Sequence, residues 1–452
     1  MKRIIDYYLQ EWKQEPYHRK PLLLRGARQV GKTHAARVLG KTFEHFIEIN
    51  LEADQGAREI MVQDYDIHRI IFQLSQYLGQ EIIPGKTLLF IDEIQVEPKA
   101  LTALRYFYEN MPQLHVIAAG SLLDFAIDQV GLPVGRITSL YMYPLSFLEF
   151  LIALDHHTWA QEIINHTPAT PMIEQMHKKI IDCVGLYLAI GGMPAAVNAW
   201  KDTQNPRTVK KIHIELLDSY QQDFNKYALT KQIKYLDALF KNALSQLGRK
   251  FMYSRIGEYQ KRELEPAFEL LKKAGLVTPI FKTAAQGIPL GSQSKLDDFK
   301  VIFLDVGLAQ AALMLDISSW FFEPLAMFIN KGELVEAFVG QELLAYADPI
   351  SRQGLFYWRN DNSRSNTAEV DYVIQVNDHI VPLEVKAGEN VRIKSMYVFL
   401  QEHIQSHYGI RLSAHNYMHT DTIKTYPFYA VASIMLQAHQ TVREALLDLI
   451  TP

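Results

Sequence analysis

The sequence predicts an α/β protein built from several domains, and three observations support this fold class. A short apolar run at 21–24 is followed by a glycine-rich loop and then by a helix-forming segment. A second apolar run, at 88–91, ends in two carboxylates, and an acidic and basic pattern on predicted strands occupies 369–386. The length of 452 residues exceeds one ordinary core, and about three domains is the usual expectation for such a chain.

The composition restricts the class of protein. Hydrophobic residues make up 48% and charged residues 21% of the chain, which is typical of a globular protein. The net charge of -4 gives no overall attraction to nucleic acid, so a DNA contact would need local basic patches. The single cysteine, Cys183, excludes an internal disulfide framework and a cysteine-rich zinc site, and it suits a reducing compartment.

Neither a secretory signal nor a membrane span is predicted. The N-terminus reaches Asp6 before any apolar run develops. The uncharged stretch 183–200 is interrupted by Gly191-Gly192-Met193-Pro194 and contains Asn198, so we interpret it as buried interior. We therefore expect a cytoplasmic protein.

The glycine-rich loop fits the pattern G-x-x-x-x-G-K-[ST] in the strand–loop–helix context of a phosphate-binding loop. Backbone N–H groups of such a loop surround phosphates, Lys32 can reach the β- and γ-phosphates, and the Thr33 hydroxyl can hold Mg²⁺. A chance glycine-rich turn is the alternative, which eight fitted positions in this context argue against. The residues predicted to bind the nucleotide are Gly26, Ala27, Arg28, Gln29, Val30, Gly31, Lys32 and Thr33.

The predicted strand that ends in Asp92 and Glu93 supplies the remaining parts of a phosphoryl-transfer site. Asp92 would orient a Mg²⁺-bound water next to Thr33, and Glu93 would polarise the attacking water. Without the upstream loop, a helix N-cap would explain these carboxylates equally well. Ser121 follows another buried strand, 114–119, and either senses the γ-phosphate or attacking water, or caps the next helix.

Five segments resemble one group of prokaryotic AAA-type ATPases, in which the ATPase domain precedes a domain of uncharacterised function with a restriction-endonuclease-like core. The segments are Gly26–Thr33, Ile91–Gln95, Ala119–Ser121, Gly135–Arg136 and Pro144–Phe147. The resemblance implies an ATP- and Mg²⁺-using α/β sandwich, a small helical lid, a winged helix and, often, a homo-oligomer. It makes Arg136 a candidate for the arginine that contacts the γ-phosphate, in cis or from a neighbouring subunit. A solvated surface charge is the alternative.

The middle of the chain is predicted to be mainly helical. Helices followed by two strands, at 277–281 and 300–305, describe a winged helix-turn-helix, with a second helix expected at 254–259. The third helix opens with Lys261 and Arg262, which could face DNA phosphates. A protein-interaction or purely packing module is an equal alternative.

The C-terminal pattern is the signature of a PD-(D/E)xK nuclease-like core. A helix at 333–347 precedes Asp371, an intervening hairpin and Glu384-Val385-Lys386. Asp371 and Glu384 on adjacent strands could hold one Mg²⁺ or Mn²⁺ ion, and Lys386, two residues from Glu384, lies on the same strand face and could position the water. Glu336 is the expected third carboxylate, with Glu333 and Glu342 as alternatives on the same helix.

Taken together, these patterns predict four domains: an ATPase core at 1–165, a helical lid at 166–222, a winged helix at 223–320 and a nuclease-like domain at 321–452. The predicted function is ATP hydrolysis coupled to a DNA-directed C-terminal domain that is a candidate nuclease. The alternative is a nucleotide-gated switch or scaffold that binds a protein partner and carries a catalytically silent nuclease-like domain.

Overall fold

The computed structural model describes all residues except 17–18, 132–134, 228–229, 361–367, 387–392, 421, 439 and 452. The polar loop predicted at 360–367 therefore lies, apart from Asn360, outside the described residues. So does the start of a helix that the sequence predicts at 390–400.

A parallel five-stranded sheet forms the N-terminal part, in the order β2-β3-β4-β1-β5. Its inner strands are apolar and buried on both faces, as parallel strands covered by helices must be. The elements are α1 (Ile4–Gln14), β1 (Leu22–Arg25), α2 (Lys32–Gly40), β2 (His45–Asn50), α3 (Gln55–Val62), α4 (Ile67–Leu78), β3 (Thr87–Asp92), α5 (Pro98–Asn110), β4 (His115–Ala119), α6 (Leu123–Val130), β5 (Thr138–Tyr141) and α7 (Phe147–Ala153). Because β4 lies between β1 and β3, three neighbouring carboxyl ends meet at one edge of the sheet.

A helical region follows: α8 (His157–Asn165), α9 (Glu174–Ile190), α10 (Pro194–Thr203), α11 (Pro206–Tyr227), α12 (Thr230–Ala243) and α13 (Lys261–Lys273). Among the described residues no single helix is long and apolar enough to cross a membrane. Helices α9 and α10 reach that length and composition only as a pair, and they are bent by 118° at the intervening glycines. Gly191 has φ +75°, and a Cβ there would lie 2.1 Å from Asp305 Oδ1.

A second sheet joins the predicted winged helix to the predicted C-terminal domain. It contains β6 (Val277–Thr283), β7 (Ser294–Phe303), β8 (Leu355–Arg359) and β9 (Glu369–Val370), in the order β7-β6-β8-β9. The pair β6/β7 is antiparallel, whereas β6 and β8 are parallel. The two-stranded wing is therefore not free, because its inner strand pairs with residues beyond the predicted boundary at 320. The helix expected at 254–259 is a single short turn at Tyr253–Arg255.

The C-terminal part packs helices on a mixed five-stranded sheet, β10-β11-β12-β14-β13. The antiparallel hairpin β10/β11 carries the predicted acidic pattern, and β11, β12 and β14 are parallel. Three helices that precede this part pack against α9: α14 (Val306–Ala312), α15 (Ser318–Phe322) and α16 (Pro324–Asn330). The C-terminal elements are α17 (Gly332–Ala345), β10 (Tyr372–Val376), β11 (His379–Lys386), α18 (Lys394–Glu402), β12 (Gly409–Ser413), β13 (Met418–His419), β14 (Ile423–Pro427), α19 (Val431–Ala438) and α20 (Gln440–Ile450). Helix α20 returns to α1, where Tyr7 donates to Glu444 at 3.0 Å.

Candidate functional site

The glycine-rich loop joins the carboxyl end of β1 to the first turn of α2, as the sequence predicts. Gly26 has φ +143°, and a Cβ there would lie 2.3 Å from the carbonyl oxygen of Met142. Gly31, which immediately precedes α2, has φ +105°. Both positions therefore need glycine. The loop ends at the N-terminus of α2, where free N–H groups and the helix dipole favour an anion.

Lys32 lies inside this loop and is buried. Its ammonium group donates to the carbonyl oxygens of Gly26, at 2.9 Å, and Ala27, at 2.8 Å. Burial lowers the pKa of Lys32 to about 8, although Glu93 and Asp92 favour the charged form. Both partners are neutral carbonyls, so phosphate oxygens could replace them.

Thr33 and Asp92 come together at the edge of the sheet. The Thr33 hydroxyl donates to Asp92 Oδ2 at 2.8 Å, and Asp92, the last residue of β3, is buried. A hydroxyl and a carboxylate oxygen are ligands that suit Mg²⁺. Glu93 follows in a left-handed conformation, with φ +52°, and its N–H donates to the other Asp92 oxygen at 2.9 Å. The residues present therefore fit a magnesium site with a carboxylate beside it.

Gln95 contacts the candidate base and was given no role by the sequence analysis. Its amide nitrogen donates to Glu93 Oε2, while its Oε1 is buried without a partner among the described residues. A Cβ on Gly120 would lie 2.0 Å from that Oε1, so Gln95 links Glu93 to the carboxyl end of β4. The available sequence signal was its place at the end of the segment Ile91–Gln95, two residues after Glu93.

Ser121 lies where β4 ends, beside the loop. It lines a cleft together with Gly26 and Ala27, and residues of the second sheet and α17 close the far wall. The structure therefore places Ser121 next to the phosphate loop, while its role stays a prediction.

Two of the remaining loop residues contact segments that lie elsewhere in the sequence. Arg28 donates to both oxygens of the buried Asp223 in α11, at 2.6 and 2.8 Å. The carbonyl oxygen of Val30 accepts from Arg3 at 3.0 Å. Gln29 has φ +62° and forms the tip of the turn. Helices on both sides therefore fix the loop.

Arg136 is not brought to the loop in this chain. Its guanidinium donates to Glu109 at the end of α5, at 3.0 Å, and its side chain is 46% exposed. A contact with the nucleotide of a neighbouring subunit stays a prediction.

The C-terminal acidic residues meet around a lysine that the sequence analysis did not select. Lys300 of β7 has a side chain only 1% exposed, and its Nζ lies 3.0 Å from Glu336, 2.7 Å from Glu369 and 3.9 Å from Asp371. Burial alone would lower the pKa of Lys300, but these carboxylates together raise it above its ordinary value. The available signal was a single lysine within the apolar run 299–304.

Glu384 and Lys386 complete this cluster. Lys386 Nζ lies 2.7 Å from Glu384 Oε1, and the N–H of Val385 donates to Asp371 Oδ2 at 2.8 Å. Burial and the neighbouring Asp371 raise the pKa of Glu384. Within the described part of the chain, no group of three or more acidic, histidine or cysteine side chains is arranged to hold a metal ion.

The two alternative carboxylates of α17 lie elsewhere. Glu333 pairs with Arg249 at 3.1 Å on the surface. Glu342 is fully buried and accepts from the N–H of Phe147, at the start of α7, at 2.9 Å. Of the three candidates, only Glu336 joins the cluster.

Comparison with known families supports the N-terminal assignment. Residues 18–151 match the family described as AAA domain, residues 184–319 match a domain of unknown function (DUF8612), and residues 331–431 match another (DUF4143). With the phosphate loop and the parallel sheet, the first match identifies an AAA-type ATPase domain in the N-terminal part of the chain. No curated protein matches the chain.

Three solved structures share a distant likeness in fold. A Walker-type ATPase of Pyrococcus abyssi is 15% identical, with a TM-score of 0.44, covering 68% of this chain and 95% of that one. The ORC1 protein of Aeropyrum pernix, solved with DNA, is 12% identical, with a TM-score of 0.31 and coverage of 70% and 93%. PCH-2 of C. elegans is 12% identical, with a TM-score of 0.27 and coverage of 46% and 65%. These likenesses are too distant to indicate an activity.

Proposed function

We propose that this chain binds ATP at the loop 26–33 and hydrolyses the bond to its terminal phosphate. The observation that carries the proposal is the 2.8 Å contact between Thr33 and Asp92, with Lys32 buried beside it. It joins the phosphate loop to the acidic strand in the arrangement that magnesium–nucleotide chemistry requires.

Each side chain then has a defined task. Lys32 exchanges its two carbonyl partners for β- and γ-phosphate oxygens, and the loop N–H groups surround the phosphates. Thr33 and Asp92 would hold Mg²⁺, which would supply positive charge beside the phosphates. Glu93 accepts a proton from the attacking water, and Ser121 senses the γ-phosphate or that water.

ATP turnover by Lys32→Ala tests this assignment. We expect a loss of at least 100-fold, because phosphoryl transfer depends on positioning and charge stabilisation. Lys41→Ala, an exposed lysine just beyond α2, is the matched control and should keep wild-type turnover. Equal turnover in the two variants would exclude the loop as the site.

We further propose that the nucleotide acts on a C-terminal half made of a winged helix and a nuclease-like domain, within a homo-oligomer. Lys261 and Arg262 at the exposed start of α13 support a DNA contact, although Glu265 lies 3.7 Å from Lys261. If the nuclease-like domain is active, Asp371 and Glu384 would hold Mg²⁺ or Mn²⁺ and Lys386 would position the water. Arg136 would reach a neighbouring subunit.

A second candidate is a nucleotide-gated scaffold whose nuclease-like domain cuts nothing. The specific observation in its favour is the buried Lys300 ammonium among Glu336, Glu369 and Asp371. Incubation with plasmid and single-stranded DNA, with Mg²⁺ or Mn²⁺, separates the candidates. Cleavage that is abolished by Glu384→Ala supports the nuclease, and intact DNA with either metal supports the scaffold.

A further inference from the structure

We propose that Lys300 is the permanent internal cation of the C-terminal acidic cluster and takes the position that a divalent metal would otherwise need. This inference rests on the proposed nuclease-like domain and decides between its two forms. It makes the cluster a joint between β7 and the C-terminal sheet rather than a metal-dependent catalytic centre.

The contacts of Lys300 with the cluster are the first support. Its Nζ lies 2.7 Å from Glu369, 3.0 Å from Glu336 and 3.9 Å from Asp371. The ring of Tyr357 in β8, two strands away in the same sheet, lies 5.2 Å from Nζ. Glu336 and Asp371 are two of the three carboxylates expected to bind metal, and the ammonium group places a positive charge beside both.

The position of Lys300 in the fold is the second support, because the backbone at this residue is held in place. Its backbone pairs with Ile280 of β6 on one side and with Lys250 on the other. The flanking residues Phe299 and Val301 are buried in the main core. With its backbone paired on both sides, Lys300 could leave the cluster only if its side chain turned within the core, where the charge would be buried without a partner.

The third support is the effect on any ion bound by the remaining carboxylates. Asp371 Oδ2 already accepts from the N–H of Val385, and Oδ1 is the Asp371 oxygen nearest Lys300. Glu384 has one free oxygen, Oε2, which is buried without a hydrogen-bond partner among the described residues. A divalent ion between these oxygens would lie close to a fixed positive charge, which opposes its binding.

Binding of Mn²⁺ to the nucleotide-free full-length protein, followed by electron paramagnetic resonance, tests the proposal. Wild type should show no Mn²⁺ site that depends on Glu384. Lys300→Met should bind Mn²⁺ at least tenfold more tightly than wild type, because the carboxylates lose their internal cation. Adding Glu384→Gln to this variant should remove the new site, and Lys295→Met, an exposed lysine of the same strand, should behave as wild type.

A second variant covers the case in which Lys300→Met fails to fold. Lys300→Met/Glu336→Gln removes one charge of each sign and leaves Asp371 and Glu384 in place. It should also bind Mn²⁺ more tightly than wild type, with circular dichroism as the check on folding. The proposal is overturned if neither folded variant gains affinity, or if wild type binds Mn²⁺ at a site that Glu384→Gln removes. ATP turnover is measured separately, so loss of the ATPase assignment would leave this result standing.

Discussion

At the scale of single residues, two buried lysines differ in the groups that their ammonium nitrogens contact, and these groups determine whether the lysine can bind a ligand. Lys32 donates to two neutral carbonyl oxygens, so an incoming phosphate can displace them with a gain in charge pairing. Lys300 faces carboxylates, and its displacement would leave several buried charges unpaired. The first arrangement suits a ligand site, whereas the second suits a fixed joint.

A pH-dependent stability is expected from Glu342. Burial raises its pKa to about 8 from the model-peptide value of 4.5. Between these values the folded state binds a proton that the unfolded state has lost, so the stability contributed by Glu342 is complete below pH 4.5 and is lost as the pH rises through 8. Glu342→Gln should therefore become more stable relative to wild type between pH 5 and pH 8.5, as measured by urea denaturation.

The matched control for this prediction is Glu333→Gln on the same helix, where the side chain is 46% exposed. It should show no such trend. A difference between Glu342→Gln and wild type that stays constant across this pH range would contradict the prediction.

At the scale of elements, helix α1 is fixed to the phosphate loop by a buried ion pair. Arg3 Nε donates to Glu149 of α7 at 2.8 Å, and Arg3 also donates to the carbonyl oxygens of Val30 and Tyr143. Glu149 accepts from the N–H of Ser146 in a capping box at the start of α7. The ion pair between Arg3 and Glu149 therefore holds α1, α7 and the phosphate loop together.

Removal of Arg3 should be costly. Arg3→Met leaves the Glu149 carboxylate buried without its cation, which typically lowers the free energy of unfolding by about 3 kcal/mol or more. Chemical denaturation measures the change, and Arg207→Met, an exposed arginine of α11, is the control with an expected effect near zero. Similar stability of the two variants would show that the pair contributes little.

Apolar runs predicted most strands of the first sheet, because parallel strands covered on both faces are continuously hydrophobic. Strands β1, β3 and β4 lie within two residues of their predicted positions. Strand β5 was missed because Thr138 and Ser139 interrupt its apolar pattern. The pairing of β6 with β8 was also missed, because it joins distant segments and leaves no local signal.

At the scale of the whole molecule, contacts connect the nucleotide site to the C-terminal half. Asp124 of α6, which follows Ser121, pairs with Arg25 at the end of β1 and lies 3.4 Å from Arg352. Arg352 also donates to the carbonyl oxygen of Lys272, at the end of α13, at 3.0 Å. A shift of α6 on nucleotide binding would therefore be transmitted through these contacts to the predicted winged helix and to the predicted C-terminal domain.

Hydrogen exchange tests this connection. ATP should change exchange at 341–353 in wild type, and Arg352→Gln should reduce that change by at least half while protection of the phosphate loop is retained. Arg443→Gln, an exposed arginine of α20, is the control. An unchanged response at 341–353 in Arg352→Gln would exclude this route.

The candidate sites differ in how far the sequence could define them. The candidate ATP site is largely local, because a loop and one strand end bring Lys32, Thr33 and Asp92 together once the strands are parallel. Gln95 acts through a side-chain contact across a turn. Lys300 acts through side-chain contacts with elements that lie far away along the chain. Spacing alone therefore gave no reason to select them, and the acidic cluster was predicted without its cation.

The most direct test of the central claim is ATP turnover by Glu93→Gln with ATP binding measured on the same sample. Loss of the proton acceptor should reduce turnover by at least 100-fold, while ATP affinity stays within about threefold of wild type. Glu81→Gln, an exposed glutamate of the same domain, should match wild type in both measurements. Wild-type turnover in Glu93→Gln would contradict the assignment of this site as an ATPase centre.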